Sequence, residues 1–222
     1  MASVYQINSG KKSIFSSLSV NLIFVLINVV CFIVFAILIW QIPKFIDYIA
    51  IKPANILAGN YLWTIITSMF MHGGFFHIFA NMLSLLFVGS FVERILGRKR
   101  YFFFYIFAGI FASLFFVLMS LIFVNELNTY AVGASGAIFG LIGLLMVLTP
   151  DQPVFIMFIP IPIKMKYAAP GMLLVLWLIS IAGDLPIGNT AHLGGFLAGI
   201  VYGIYLRIKY KKKTSYIRKL FS

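Results

Sequence analysis

The sequence has few acidic residues, few charges of any kind and a single cysteine. Asp and Glu together number 5 in 222 residues, and only 10% of the residues are charged, whereas soluble domains carry about a quarter. The lone Cys31 excludes an internal disulfide. In place of charge the chain has 62% apolar residues and a mean hydropathy of +1.05. This composition excludes an ordinary soluble domain and predicts a membrane protein.

Six apolar segments have about the length that a transmembrane helix needs, roughly 20 residues. They cover residues 20–40, 74–92, 101–124, 131–149, 167–183 and 190–208. We therefore predict an all-α membrane protein, a bundle of six transmembrane helices over residues 18–208. A short leader (residues 1–17) and a basic tail (residues 209–222) flank it. Two proline-rich connections, 42–73 and 153–166, are predicted to lie at or partly within the membrane interface.

The positive charge is unevenly distributed along this topology. The net charge is +12, and every basic residue except Lys44 and Lys52 falls on the side that holds both termini. Such a bias predicts that both termini are cytoplasmic. It argues against nucleic acid as the partner, and the basic tail is expected to face anionic lipid headgroups at most.

Polar residues recur at one depth in the second, fourth and sixth segments, which all start on the non-cytoplasmic side. They are His77 and Asn81, then Ser135, then His192. From the rise of a helix, each is expected on the order of 5–10 Å below the outer boundary. Polar groups inside a membrane are costly and commonly functional, so the shared depth predicts a site.

These residue types suit nucleophilic catalysis. A serine hydroxyl needs a neighbouring base before it can attack, and His192 can take and return a proton near neutral pH. His77 and Asn81, one helical turn apart, could supply oxyanion donors together with the Ser135 backbone N–H. Because no segment offers a carboxylate as a third member, we predict a Ser–His dyad, a variant of the soluble triads.

Each residue also has a plain structural interpretation, and other hydrolytic chemistries fit the sequence less well. A serine among glycines or an asparagine in a span commonly serves helix packing. A zinc site from His72, His77 and His192 lacks the usual helical spacing. An aspartyl site would need a second Asp facing Asp184 within the spans, and the sequence offers no second motif of that kind. No metal or organic cofactor is implied.

Glycines are spaced at intervals of four in the fourth and sixth segments. Gly136 and Gly140 lie in the former, and Gly195, Gly199 and Gly203 in the latter. Small residues at this spacing allow helices to approach closely. Close packing of these two segments is what a contact between Ser135 and His192 would require.

Over residues 18–208 the sequence resembles the rhomboid family of intramembrane serine proteases. The resemblance rests on HGGFFHIFAN (residues 72–81), GASG (133–136) and AHLGGFLAG (191–199), with GSFVER (89–94) closing the second segment. The ordered set, in this topology, is far more specific than any one of the motifs.

The resemblance implies hydrolysis of peptide bonds in or near the transmembrane segment of another membrane protein. Ser135 would be the nucleophile and His192 the general base, with His77, Asn81 and the Ser135 backbone lining an oxyanion hole. His72 would support the first connection and the site, and Gly133 would shape the pocket. The resemblance also implies a site open to water from the non-cytoplasmic side.

Two positions depart from the family pattern. Many members have a Trp-Arg pair in the first connection, where this chain has Trp63 and Thr64. Many also have a tyrosine four residues after the nucleophile, where this chain has Phe139. The ring can still stack on His192, but a hydroxyl hydrogen bond is lost.

The expected substrates are single-span membrane proteins, and membrane lipid is the other expected partner. Two alternatives remain: a catalytically silent rhomboid-like protein that binds membrane segments, and a small transporter or channel. The minimal core further suggests a multi-pass protein of a prokaryotic plasma membrane.

Overall fold

The computed structural model describes residues 18–156, 160–183 and 187–221. Within these ranges, five helices are long and apolar enough to cross a membrane, and a sixth apolar helix is shorter. In chain order the main helices are α1 (Val20–Gln41), α2 (Phe75–Leu96), α3 (Arg98–Met119), α4 (Ser135–Leu148), α5 (Met165–Gly183), α6 (Asn189–Lys209) and α7 (Lys211–Lys219). The prediction of a helical, multi-pass membrane protein is confirmed.

The predicted bounds of segments one, two, five and six agree with the helices to within a few residues. The other two predictions were wrong at their ends. Residues 131–134 are not helical, so α4 has only 14 residues, about 21 Å. The third helix begins earlier, at Arg98, because Gly97 (φ +78°) separates it from α2, and it ends at Met119.

A polar network joins α1, α2 and α3 at the end of the bundle where α2 terminates. The Glu93 carboxylate accepts the backbone N–H groups of Val20 and Asn21, both at 2.9 Å, and so caps the first turn of α1. The Asn21 amide donates to the Leu85 carbonyl at 2.8 Å, where α2 contains a π-helical turn (Leu85–Gly89). Tyr101 of α3 donates to Asn21 Oδ1 at 2.6 Å.

The tightest helix packing is between α4 and α6. A Cβ on Gly195 would overlap the backbone carbonyl of Gly136, and one on Gly199 would overlap that of Gly140. Ala108 of α3 packs on another side of α4, because a Cβ added to Gly140 would lie 2.6 Å from the Cβ of Ala108. The close approach predicted from the glycine spacing is confirmed.

The first connection folds into short helical turns rather than an extended loop. These are Pro43–Phe45, Ile46–Ile49, Pro53–Leu57, Thr64–Thr67 and Ser68–Phe70. The Trp63 indole donates to the Tyr48 carbonyl at 2.9 Å. Thr64, which replaces the arginine common in the family, is buried and donates to the Tyr61 carbonyl at 2.7 Å. Thr64 thus stabilises the connection from within.

The opposite end of the bundle holds a short hairpin and the tail. Strands β1 (Pro153–Val154) and β2 (Ile163–Lys164) pair antiparallel. The tail continues from α6 into α7, and beyond it the ring of Phe221 meets that of Phe91 in α2, with centroids 5.6 Å apart. The predicted leader, residues 1–17, lies outside the described residues.

Candidate functional site

The site is built at one end of the bundle, where α2, α4 and α6 all begin. Ser135 is the first residue of α4, and His192 lies in the first turn of α6. Ser135 Oγ and His192 Nε2 are 2.8 Å apart, within hydrogen-bond distance. This contact joins two helices whose glycines bring their backbones together, so the geometry of the pair depends on the α4–α6 packing.

The His192 ring is buried and stacks on an aromatic neighbour. The residue is only 7% exposed. Phe139, one turn after Ser135 on the same face of α4, stacks on the imidazole with centroids 4.7 Å apart and planes at 26°. His192 Nδ1 has no hydrogen-bond partner among the described residues. The stacking with Phe139 and the contact of Nε2 with Ser135 together orient the ring.

His77 and Asn81 converge on Gly133, two residues before Ser135. A Cβ on Gly133 would lie 2.7 Å from His77 Nε2 and 3.5 Å from Asn81 Nδ2. Gly133 has φ +115°, a region that favours glycine, and its N–H donates to the Ser68 carbonyl at 2.9 Å. The Asn81 amide also donates to the His77 carbonyl at 2.9 Å. Only a residue without a side chain allows this approach.

The His72 ring packs edge-on against the ring of His77. The centroids of the two rings are 5.1 Å apart and their planes are at 71°, and His72 is 5% exposed. Burial, with a smaller contribution from His77, lowers the pKa of His72 to about 3. His72 is therefore neutral at pH 7 and packs as an uncharged ring. Within the described residues no three His, Cys, Asp or Glu side chains are grouped to hold a metal ion.

One polar contact near the site could not be predicted from the sequence. Glu126, in the turn Val124–Glu126 between α3 and α4, accepts a hydrogen bond from Thr190 Oγ1 at 2.9 Å. Burial raises the pKa of this carboxyl, and the Thr190 hydroxyl partly opposes that rise. Thr190 precedes His192 by two residues, so the contact ties the α3–α4 connection to the start of α6. The sequence signal for this contact is Glu126 itself, one of few acidic residues, shortly after the third apolar segment.

The fold and site define a class: a multi-pass membrane protein in which a serine and a histidine meet at the start of two closely packed helices. A family model described as Rhomboid domain matches residues 59–209, more than half of the chain. The chain belongs to the rhomboid family.

The curated relatives agree with this assignment. RHOMBOID-like protein 1 of Arabidopsis thaliana is 34% identical over 163 residues, which is 72% of this chain and 38% of that protein. Rhomboid protein 1, mitochondrial, of Saccharomyces cerevisiae is 30% identical over 179 residues, 76% of this chain and 49% of that protein. Inactive RHOMBOID-like protein 8 of Arabidopsis thaliana is 35% identical over 140 residues, 62% of this chain and 36% of that protein.

The chain thus spans less than half the length of each of these relatives. All three come from eukaryotes, and one is mitochondrial by name. They do not support the expectation of a prokaryotic plasma membrane, which rested on the small size of the core.

Proposed function

We propose that the protein is an intramembrane serine endopeptidase that hydrolyses peptide bonds in or near the transmembrane segments of other membrane proteins. The observation that carries the proposal is the 2.8 Å contact between Ser135 Oγ and the buried His192 Nε2. Membership of the rhomboid family supports the same activity. The shared position of His77, Asn81 and Gly133 beside Ser135 adds candidate donors for an oxyanion.

In the proposed reaction, Ser135 Oγ attacks the scissile carbonyl carbon while His192 Nε2 takes the hydroxyl proton. The tetrahedral oxyanion receives hydrogen bonds from His77, Asn81 and the Ser135 backbone N–H. His192 then gives its proton to the leaving nitrogen as the C–N bond breaks, which leaves an ester on Ser135. Water attacks this ester, its proton passes to His192 and then to Ser135, and the new carboxyl product is released.

The position of Ser135 at the start of α4 favours this chemistry. The first backbone N–H groups of a helix have no partner within it, and the positive end of the helix dipole lies there. Both features stabilise negative charge on an oxygen beside Ser135. The helix is also about 9 Å shorter than the roughly 30 Å hydrocarbon core, which supports a site below the membrane surface that is reached from the end where α4 begins.

The substrates we propose are single-span membrane proteins, cut where small residues let the helix unwind. A peptide bond inside a helix is shielded and its carbonyl already accepts a hydrogen bond, so unwinding must precede attack. We also propose that both termini are cytoplasmic and that the site opens on the other side, because the basic residues cluster at the end of the bundle opposite Ser135.

A fluorophosphonate probe followed by intact-mass measurement tests the activity without knowledge of a substrate. We expect one adduct on the detergent-purified wild type, mapping to Ser135, and none on Ser135→Ala or His192→Ala. Ser113→Ala is the matched control, because Ser113 is also a buried helix serine but makes no hydrogen bond to a histidine among the described residues. This variant should keep the adduct. An unlabelled wild type of normal thermal stability would contradict the proposal.

The second candidate is a silent protein that binds membrane segments without cutting them. It is favoured by one observation: a relative 35% identical to this chain carries the word inactive in its name. The labelling experiment separates the two candidates, since only an activated serine reacts. A folded wild type that captures a transmembrane peptide but takes no label would support the silent candidate.

Topology is tested separately by cysteine labelling. In a Cys31→Ala background, an impermeant maleimide added to intact cells or sealed vesicles should label Asn60→Cys in the first connection. Lys212→Cys in the tail should react only after the membrane is permeabilised. Labelling of Lys212→Cys alone would reverse the proposed orientation.

A further inference from the structure

The end of the bundle opposite Ser135 carries a cleft that the proposed reaction does not use. Its volume is about 840 Å³, and it lies between the end of α6, one face of α7 and the connection after α4. From His192 to Arg207 the helix advances about 22 Å, so the cleft is remote from the site. Its charge, its shape and its apolar border together indicate what it binds.

The walls of the cleft are strongly basic. Four cations line it, Arg207, Lys211, Arg218 and Lys219, and Thr214 and Ser215 lie between them along α7. The α7 residues among these follow the spacing 211, 214, 215, 218 and 219, which places them on one face of the helix. The cations are thus gathered on one side of α7 by its periodicity.

Three of these cations, Arg207, Lys211 and Arg218, are not neutralised by a carboxylate of the described residues. Asp151 is the one acid in the wall, and its carboxylate already accepts Lys166 Nζ at 2.8 Å and Lys164 Nζ at 3.5 Å. Within the described parts of the chain, neither Arg207 nor Arg218 has an ion pair. The uncompensated charge therefore favours an anion from outside the chain.

The cleft continues into an apolar surface along α6. Ile204 and Ile208 line it and are 47% and 76% exposed, and Val201, one turn further along, is 67% exposed. Residues 201, 204 and 208 share a face of the helix. A basic cleft that opens onto an apolar helix face fits a molecule with a phosphate at one end and an acyl chain at the other.

We infer that this cleft binds one anionic phospholipid, with its headgroup phosphate between Arg207, Lys211 and Arg218 and an acyl chain along Ile204 and Val201. Guanidinium groups suit phosphate because they can donate two parallel hydrogen bonds. The phosphate is the recognised group, and the apolar face is what selects a lipid over a soluble phosphate. This inference does not depend on the proposed peptidase activity.

The test is native mass spectrometry of the full chain released from detergent with added dioleoyl phosphatidylglycerol or dioleoyl phosphatidylcholine. We expect one retained phosphatidylglycerol and no matching retention of phosphatidylcholine. Arg207→Gln with Arg218→Gln should weaken the lipid affinity about 30-fold, taking about 1 kcal/mol for each cation at a membrane surface.

The matched control is Lys212→Gln with Lys213→Gln, which removes the same charge from the same helix but from residues outside the cleft. It should change the affinity less than threefold. Equal loss in both double variants would mean diffuse attraction by the tail and would overturn the site. Melting temperatures without added lipid show that the variants are folded, and Lys211→Gln alone, with a smaller expected loss, serves if the arginine pair does not fold.

A third arm separates the two sources of phosphate. Glycerol phosphate at millimolar concentration should neither be retained nor displace the lipid, because it lacks the acyl chain that meets α6. Retention of glycerol phosphate in place of phosphatidylglycerol would overturn the lipid assignment in favour of a soluble ligand.

Discussion

Replacing Gly133 with alanine should damage the proposed oxyanion site while leaving the Ser135–His192 contact in place. The added Cβ would lie 2.7 Å from His77 Nε2 and 2.9 Å from His77 Cε1, whereas ordinary contact begins near 3.4 Å. Either the added methyl group or the His77 ring must move by about 0.7 Å. The backbone adds strain, since φ at Gly133 is +115° and such conformations cost a non-glycine residue on the order of 1–3 kcal/mol.

The expected consequence is a loss of transition-state stabilisation. Loss of one oxyanion donor costs roughly 10²- to 10³-fold in rate in other serine hydrolases, or about 2.7–4 kcal/mol. A displaced His77 should produce a loss in that range for Gly133→Ala. The assay is the second-order rate of fluorophosphonate labelling, because the phosphonyl oxygen occupies the place of the oxyanion.

Gly73→Ala is the matched control. Gly73 also neighbours His77, but its added Cβ would meet His77 Nδ1 at 3.8 Å, an ordinary contact. Its labelling rate should remain within threefold of the wild type. If Gly133→Ala also labels within threefold, in protein that melts like the wild type, then His77 is not an oxyanion donor and the reasoning fails.

Three further predictions concern stability in detergent. Between pH 7 and pH 5 the wild type should lose about 2 kcal/mol more unfolding free energy than His72→Phe. The reason is that the pKa of His72 is 6.5 in the unfolded chain and about 3 in the folded protein. An equal dependence of the unfolding free energy on pH in both proteins would contradict this. The melting temperature of the wild type should fall as the pH rises above the ordinary range of a glutamate, because burial raises the pKa of Glu126. Glu126→Gln should abolish this fall, whereas Thr190→Val should steepen it. Gly195→Ala should lower stability by about 1–3 kcal/mol through overpacking on the α4 backbone, while Gly171→Ala, which meets nothing within 4 Å, should be neutral or slightly stabilising in a thermal melt.

The helical bundle could be predicted from the sequence because hydropathy is a local property. A helix in lipid satisfies its own backbone groups, so an apolar run of sufficient length indicates a helix without knowledge of its neighbours. The same logic failed at residues 131–134, which are apolar and small but not helical. There Ala131 pairs with Ile51 in an isolated bridge, and Gly133 donates to Ser68. Contacts from the first connection decide where α4 begins.

The sequence predicts candidate site residues and the close packing of α4 and α6, but not the other contacts around the site. Polar residues are rare in the apolar segments and recur at one depth, and this pattern indicates Ser135, His192, His77 and Asn81. The contact of Glu126 with Thr190 was not predicted, because two residues 64 positions apart meet only after the helices pack. The folding of α7 onto the bundle was missed for the same reason, since the tail is polar and its fit depends on Thr214 and Phe221.

The sequence alone predicted which segments are apolar enough to enter the membrane, where the positive charge lies along the chain and which polar residues lie among apolar ones. These are sums of transfer free energies over neighbouring residues, and they need no fold. The tertiary structure decided that Ser135 and His192 lie 2.8 Å apart, that Gly133 admits His77, and that α7 forms a basic cleft with α6. Those distances depend on how closely backbones approach, which follows from the packing of whole helices.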